Sequence, residues 1–163
     1  MQFEYTEPQT ELEKLWGGFY CINAFGRIEI GDGPKFGKFL QVTGPPPLTA
    51  VYIDSSGGDV EAALEIGRSI RQASWSTTVG RNTLEQANGE GFVTPRKRGD
   101  GQCLSAATLM YLGGRLRYFS DRCEFGVHRF SYANPSPENI EKSQILAAKI
   151  AKYVEETGPH PHP

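Results

Sequence analysis

A chain of 163 residues is long enough for one domain with a real core and too short for two of ordinary size. Hydrophobic residues at 38%, charged residues at 22% and a formal net charge of -2 describe a soluble globular protein and give no reason to expect nucleic acid or an anionic membrane as its main partner. The first twenty residues, MQFEYTEPQTELEKLWGGFY, carry four glutamates and no apolar run, so neither a secretory signal nor a membrane span begins there and the expected address is cytoplasmic.

In chain order, residues 1–18 read as a loose polar arm, 19–157 as one domain with a loop insertion at 80–101, and 158–163 as a tail. FYCINAFGRIEI, from Phe19 to Ile30, is rich in aromatic and β-branched residues around a glycine and predicts a strand, a bend and a second short strand. GDGPKFGKFLQV predicts a short helix capped by Asp32, ended by the three prolines of TGPPPLT. Ala50 to Asp54 is a buried-type strand, and the following helix places Val60, Ala63, Leu64, Gly67 and Ile70 at three- and four-residue spacing. Ser76 to Val79 predicts the next strand, parallel to the first, which closes a βαβ unit.

The segment 80–101 breaks this rhythm: it is glycine-rich, poor in apolar residues and carries Arg96, Lys97 and Arg98, read as a solvated loop tip. CLSAATLMYLGG predicts a small-residue helix from about Ser105 to Leu112 with glycines as its stop signal. RLRYFSDRCEFGVHRFS predicts two short strands around a Ser-Asp-Arg turn. The clearest helix follows, capped by Ser136 with Pro137 at its first position, and Ile140, Gln144, Ala147, Ala151 and Val154 trace one face. Cys21, Cys103 and Cys123 lack the spacing of a zinc or redox site and are expected to be buried reduced thiols. The closing GPHPHP has no folding logic, and its two histidines are too few for a metal site; no metal or cofactor is implied.

The chemistry narrows quickly. With His160 and His162 in the tail, His128 is the one histidine left to act as a general base in the body of the chain. Ser105 opens a helix of small residues after a glycine-bearing loop, where free N–H groups can face a negative oxygen. At Ser55-Ser56-Gly57-Gly58 the glycines let peptide N–H groups face open space, as an oxyanion hole requires. A phosphate cradle is the competing reading, but the turn lacks both common phosphate-loop spacings. Each feature alone also has a plain structural explanation: a cap serine, a structural histidine, a tight turn.

Taken in order, YIDSSGGDVEAALEIGRSIR, GQCLSAATLMYLGG and FGVHRF followed by a long helix resemble the ClpP serine protease family within the ClpP/crotonase fold, over roughly Tyr20 to Thr157 without the insertion. The resemblance implies an α/β fold of repeated ββα units, a mostly parallel sheet packed with helices. In that family a strand ends in Ser-Pro-Gly-Gly; here Ser56 stands where the family has proline. The resemblance implies a serine peptidase in which Ser105 attacks a peptide carbonyl, His128, 23 residues on, takes its proton, and the N–H groups of Gly58 or Gly57 and of Ala106 hold the oxyanion. It further implies peptide or unfolded-protein substrates, self-association through the long helix, and an unfoldase ATPase or an active paralogue as partner.

One departure is as informative as the match. The family's triad aspartate comes from a segment after the long helix, and no position here matches it; Glu138, Asn139 and Glu141 sit at the helix start instead. The expectation is a divergent, C-terminally shortened member with a Ser–His pair and reduced activity, because the histidine tautomer lacks its orienting carboxylate. Two alternatives stand beside it: a catalytically inactive ClpP-like subunit or scaffold, and a crotonase-type enzyme that holds an acyl-CoA thioester carbonyl with backbone N–H groups and needs no serine.

Overall fold

The computed structural model describes residues 1–16, 19–84, 96–128 and 136–158. Five strands form the central sheet in the order β1 (Gln2–Thr6), β2 (Cys21–Phe25), β3 (Ala50–Asp54), β4 (Ser76–Val79) and β8 (Arg117–Tyr118). All neighbours run parallel except β1, which is antiparallel to β2. Two smaller two-stranded sheets pair β5 (Arg81–Leu84) with β6 (Arg96–Gly99) and β7 (Gln102–Leu104) with β9 (Glu124–Gly126). The helices are α1 (Glu11–Trp16), α2 (Asp32–Thr43), α3 (Val60–Gln72), α4 (Ala107–Leu112) and α5 (Pro137–Thr157). This is the mixed α/β architecture, mostly parallel and helix-packed, that the sequence implied.

Strand alternation explains the layering. The register pairs Ile22 with Val51 and Ala24 with Ile53, and these side chains enter one core with Phe36, Leu64, Ile66, Ile70 and Met110 from the helices. Asn23 and Tyr52 pair in alternation with them and are buried as well. The Asn23 amide exchanges two hydrogen bonds of 2.8 Å with the backbone of Asn82, so the β5–β6 hairpin is held to β2. Asp59 caps α3 by accepting the Ala62 N–H, and Ser136 caps α5 by accepting that of Asn139. No described helix is long and apolar enough to cross a membrane.

Several expectations need correction. The N-terminal arm is not loose over its first residues: Gln2–Thr6 is an edge strand, because Phe3 packs its ring on Phe36 at 4.9 Å and alternates with exposed neighbours. Asp32 is not a cap. Its buried carboxylate accepts the Met1 ammonium at 2.8 Å and the Glu29 N–H at 2.7 Å, while Gly31 precedes the helix with no side-chain cap. The expected second strand before Ile30 reduces to a single bridge between Ile28 and Gly58.

The insertion at 80–101 contains β5 and β6, and the Arg96 cluster lies on a strand rather than a loop tip; 85–95 lie outside the described residues. Arg96 is largely buried because it has partners for its planar fork: Glu13 at 3.1 Å, Thr6 Oγ1 at 3.1 Å and the Glu7 carbonyl at 2.6 Å. The strands around Ser-Asp-Arg exist, but β8 and β9 join different sheets. On α5 the buried residues are Tyr153 and Thr157, whereas Ile140 is exposed, because only the C-terminal half of the helix seats on the body. The terminal segment 159–163 lies outside the described residues.

All three thiols are buried and free, as expected. Burial pushes the Cys103 thiol from its ordinary 9.0 up to about 12, and burial first, then the nearby Glu7 charge, pushes the Tyr5 hydroxyl from 10.0 to about 12. Burial also raises Tyr153. In the folded state these groups keep their protons above the pH at which the unfolded chain releases them, so folding loses stability as pH rises. Melting temperatures between pH 7 and 11 are therefore expected to hold steady to about pH 9 and then fall. A melting temperature that climbed across that alkaline window would contradict the burial of these groups.

Candidate active site

The site begins where β3 ends. Ser55 donates its N–H to the Gln102 carbonyl at 2.6 Å and accepts the Leu104 N–H at 3.0 Å, which sets β7 against the end of β3. Gln102 adds a bond from its N–H to the Asp54 carboxylate at 3.1 Å. The next strand over, β9, is fixed by its register with β7, in which Leu104 lies opposite Gly126. Ser105, one residue beyond Leu104, donates its N–H to the Gly126 carbonyl at 2.8 Å. His128, two residues beyond Gly126, is thereby delivered to the same end of the small sheet, and Ser105 and His128 line one cleft.

Ser105 has φ 54, a left-handed backbone that a serine adopts at a cost of order 1 kcal/mol. The strain falls at the corner between β7 and α4, so Ser105 belongs to neither element and lines the cleft, a placement similar to the strand-to-helix elbows that carry nucleophiles. Thr108 holds the corner by giving its N–H at 3.1 Å and its hydroxyl at 2.7 Å to the Ser105 carbonyl. The helix expected from Ser105 in fact begins at Ala107, and Ala106 occupies its cap position.

The Ser-Ser-Gly-Gly turn packs directly against this corner. Gly57 (φ 95) comes so close that a Cβ there would sit 2.7 Å from the Leu104 carbonyl oxygen and 2.8 Å from Ser105 Cβ. Its N–H is already given to Ser55 Oγ at 3.1 Å. The N–H groups of Gly58 and Ala106 donate to no acceptor among the described residues. One from each side of the corner, they are donors it has to offer to a negative oxygen.

The cleft measures about 250 Å³. Apart from Ser105, Thr108 and His128 its walls are apolar, with Val60 from α3, Leu109 and Leu112 from α4, Val127, and Ile150 and Val154 from α5. An apolar cavity of ~150 Å³ holds a benzene ring, so this one takes a single large apolar group. Of the residues named from sequence, Ser105, Ala106 and His128 line one cleft, and Gly57 packs against Ser105 and Ala106 with Gly58 next to it in the chain; the Ser55–Gly57 bond, Thr108 and the α5 wall were not foreseen. A serine two residues before a glycine is a known side-chain-to-backbone turn signal and could have marked the first of these. Among the described residues no cluster of histidine, cysteine and carboxylate side chains could hold a metal ion.

At the level of sequence, no family model and no curated protein matches this chain. Its fold is similar to that of ClpP1 from Listeria monocytogenes, with a TM-score of 0.59 and 15% identity over 84% of this chain and 71% of that one. An asparagine-to-aspartate mutant of the same protein gives a TM-score of 0.60 and 16% identity over the same shares. The chain therefore has a ClpP-like fold. At this level of identity the likeness establishes the fold and leaves the chemistry to the residues.

Proposed function

We propose that this chain is a ClpP-like serine peptidase with Ser105 as nucleophile and His128 as general base. The observation that carries the reading is the left-handed Ser105 at a strand-to-helix corner, sharing its cleft with His128. A peptide bound with an apolar side chain in the cleft presents its carbonyl carbon to Ser105 Oγ. His128 takes the hydroxyl proton as the C–O bond forms, and the carbonyl oxygen, now negative, is held by the N–H groups of Gly58 and Ala106. The tetrahedral adduct collapses as His128 returns the proton to the departing amine, leaving an acyl-enzyme, and a water activated by the same histidine releases the acid. The backbone donors are fixed before the substrate arrives, which is where most of the acceleration originates.

Substrates are peptides or unfolded segments met in the cytoplasm. Assembly into a homo-oligomer, with an unfoldase ATPase or an active paralogue as partner, accompanies this reading. The exposed Ile140 and Ile145 on the outer half of α5 supply a surface for self-association, whereas Ile150 belongs to the cleft wall. The same exposure suits a non-catalytic subunit, and one comparison separates the two. Cleavage of a fluorogenic peptide with an apolar residue before the scissile bond is expected to fall by about a thousandfold in Ser105→Ala and in His128→Ala. Equal turnover in wild type and Ser105→Ala, or none in either, would leave the subunit reading in possession.

A further inference from the structure

The two halves of the oxyanion hole come from segments far apart in sequence, and one residue registers them. Ser55 is 1% exposed. Its backbone N–H and carbonyl bond to Gln102 and Leu104, the strand that leads straight into Ser105 and Ala106. Its hydroxyl oxygen accepts the Gly57 N–H, two residues along, at 3.1 Å. Gly57 and Gly58, at φ 95 and 143, have no side chains with which to hold themselves, and Ser56 is exposed with an N–H that donates to nothing among the described residues. The Ser55 hydroxyl is the one side-chain brace on this turn among the described residues.

We infer that Ser55 is a positioning residue for the reaction: by occupying the Gly57 N–H it leaves the N–H of Gly58, rather than that of Gly57, for the oxyanion, and by pairing with β7 it sets that donor against the Ala106 N–H. This inference rests on the reading of Ser105 as nucleophile. Ser55→Ala removes the brace and keeps both backbone bonds. Its acylation by a fluorophosphonate is expected to be slower by about tenfold, with reversible affinity for a non-reactive peptide and melting temperature close to wild type, because only the developing oxyanion feels the misplaced donor.

A second change supplies the rescue. Ser56→Pro fixes φ near -65° and forgoes an N–H the turn does not use, so it is expected to restore most of the rate when added to Ser55→Ala. Should Ser55→Ala fail to fold, Ser55→Cys carries the test: it keeps the shape but offers a weak sulfur acceptor, and a severalfold slower acylation is expected. Folded variants that acylate at the wild-type rate overturn the role of Ser55 and leave the peptidase reading standing. Wild-type protein that does not acylate at all overturns both.

Discussion

Gly58→Ala is expected to cost about 3 kcal/mol of stability and to slow acylation of Ser105 by roughly a hundredfold. Both effects have one origin. An added methyl group would lie on top of the Ile28 carbonyl oxygen, a backbone atom that cannot swing aside. Ile28 is tied at that point twice, donating its N–H to the Gly57 carbonyl at 2.9 Å and accepting the Asp59 N–H at 3.0 Å. To relieve the clash the turn must move away from Ile28, and it takes with it the Gly58 N–H proposed to hold the oxyanion and the Asp59 that caps α3. Chemical denaturation would read the first loss, and the rate of labelling under native conditions the second. A variant as stable as wild type would show that the turn is looser than its contacts imply.

Tyr153→Ala is expected to lose about 4 kcal/mol, the range for emptying a fully buried aromatic site. The Tyr153 ring has no exposed surface, its hydroxyl donates to the Leu109 carbonyl at 2.8 Å, and the ring stands against Gly67, where any Cβ would collide with it. Arg68 covers the ring at 5.5 Å. Together with Arg117, which donates to the Thr157 and Leu112 carbonyls, this is how α5 is fastened to α3 and α4. Ile150 and Val154 flank Tyr153 on the helix, so the variant should also open the cleft wall and weaken binding of apolar peptides. Urea unfolding gives the first number and peptide competition the second. A loss under 1 kcal/mol would mean that α5 is held by something other than this seat.

How much of this was legible in the sequence depends on the range of the interactions involved. The unit from Ala50 to Val79 could be read directly, since its apolar periods, its glycine corner and its parallel crossover are local signals. So could the start of α5, where Ser136 and Pro137 fall as a cap and first residue should. Asp32 misled because its partner, the Met1 ammonium, lies 31 residues away and outcompetes the cap geometry that an aspartate before a helix normally adopts. Arg96 misled for the same reason: three consecutive basic residues look solvated until Glu13, Thr6 and Glu7 are brought beside the first of them. In β1 the alternation of Phe3 and Tyr5 was present but masked by glutamates, and it acquires meaning only when Phe3 meets Phe36 and Phe39 and Tyr5 meets Tyr20.

The candidate site divides in the same way. Residue types and their order pointed to Ser105, His128 and the two glycines, because each chemistry needs those groups. Their convergence depends on the pairing of β7 with β9, made of three-residue strands whose register no local pattern announces. The left-handed Ser105 is likewise invisible in a sequence, where a serine before Ala106 and Ala107 reads as an ordinary helix cap.

The most direct test of the central claim is covalent. Native protein treated with a fluorophosphonate and digested should carry the added mass on the peptide containing Ser105, with labelling absent in Ser105→Ala and strongly slowed in His128→Ala. Labelling that persisted in Ser105→Ala, or a wild-type protein that stayed unlabelled, would contradict the assignment of Ser105 as an activated nucleophile.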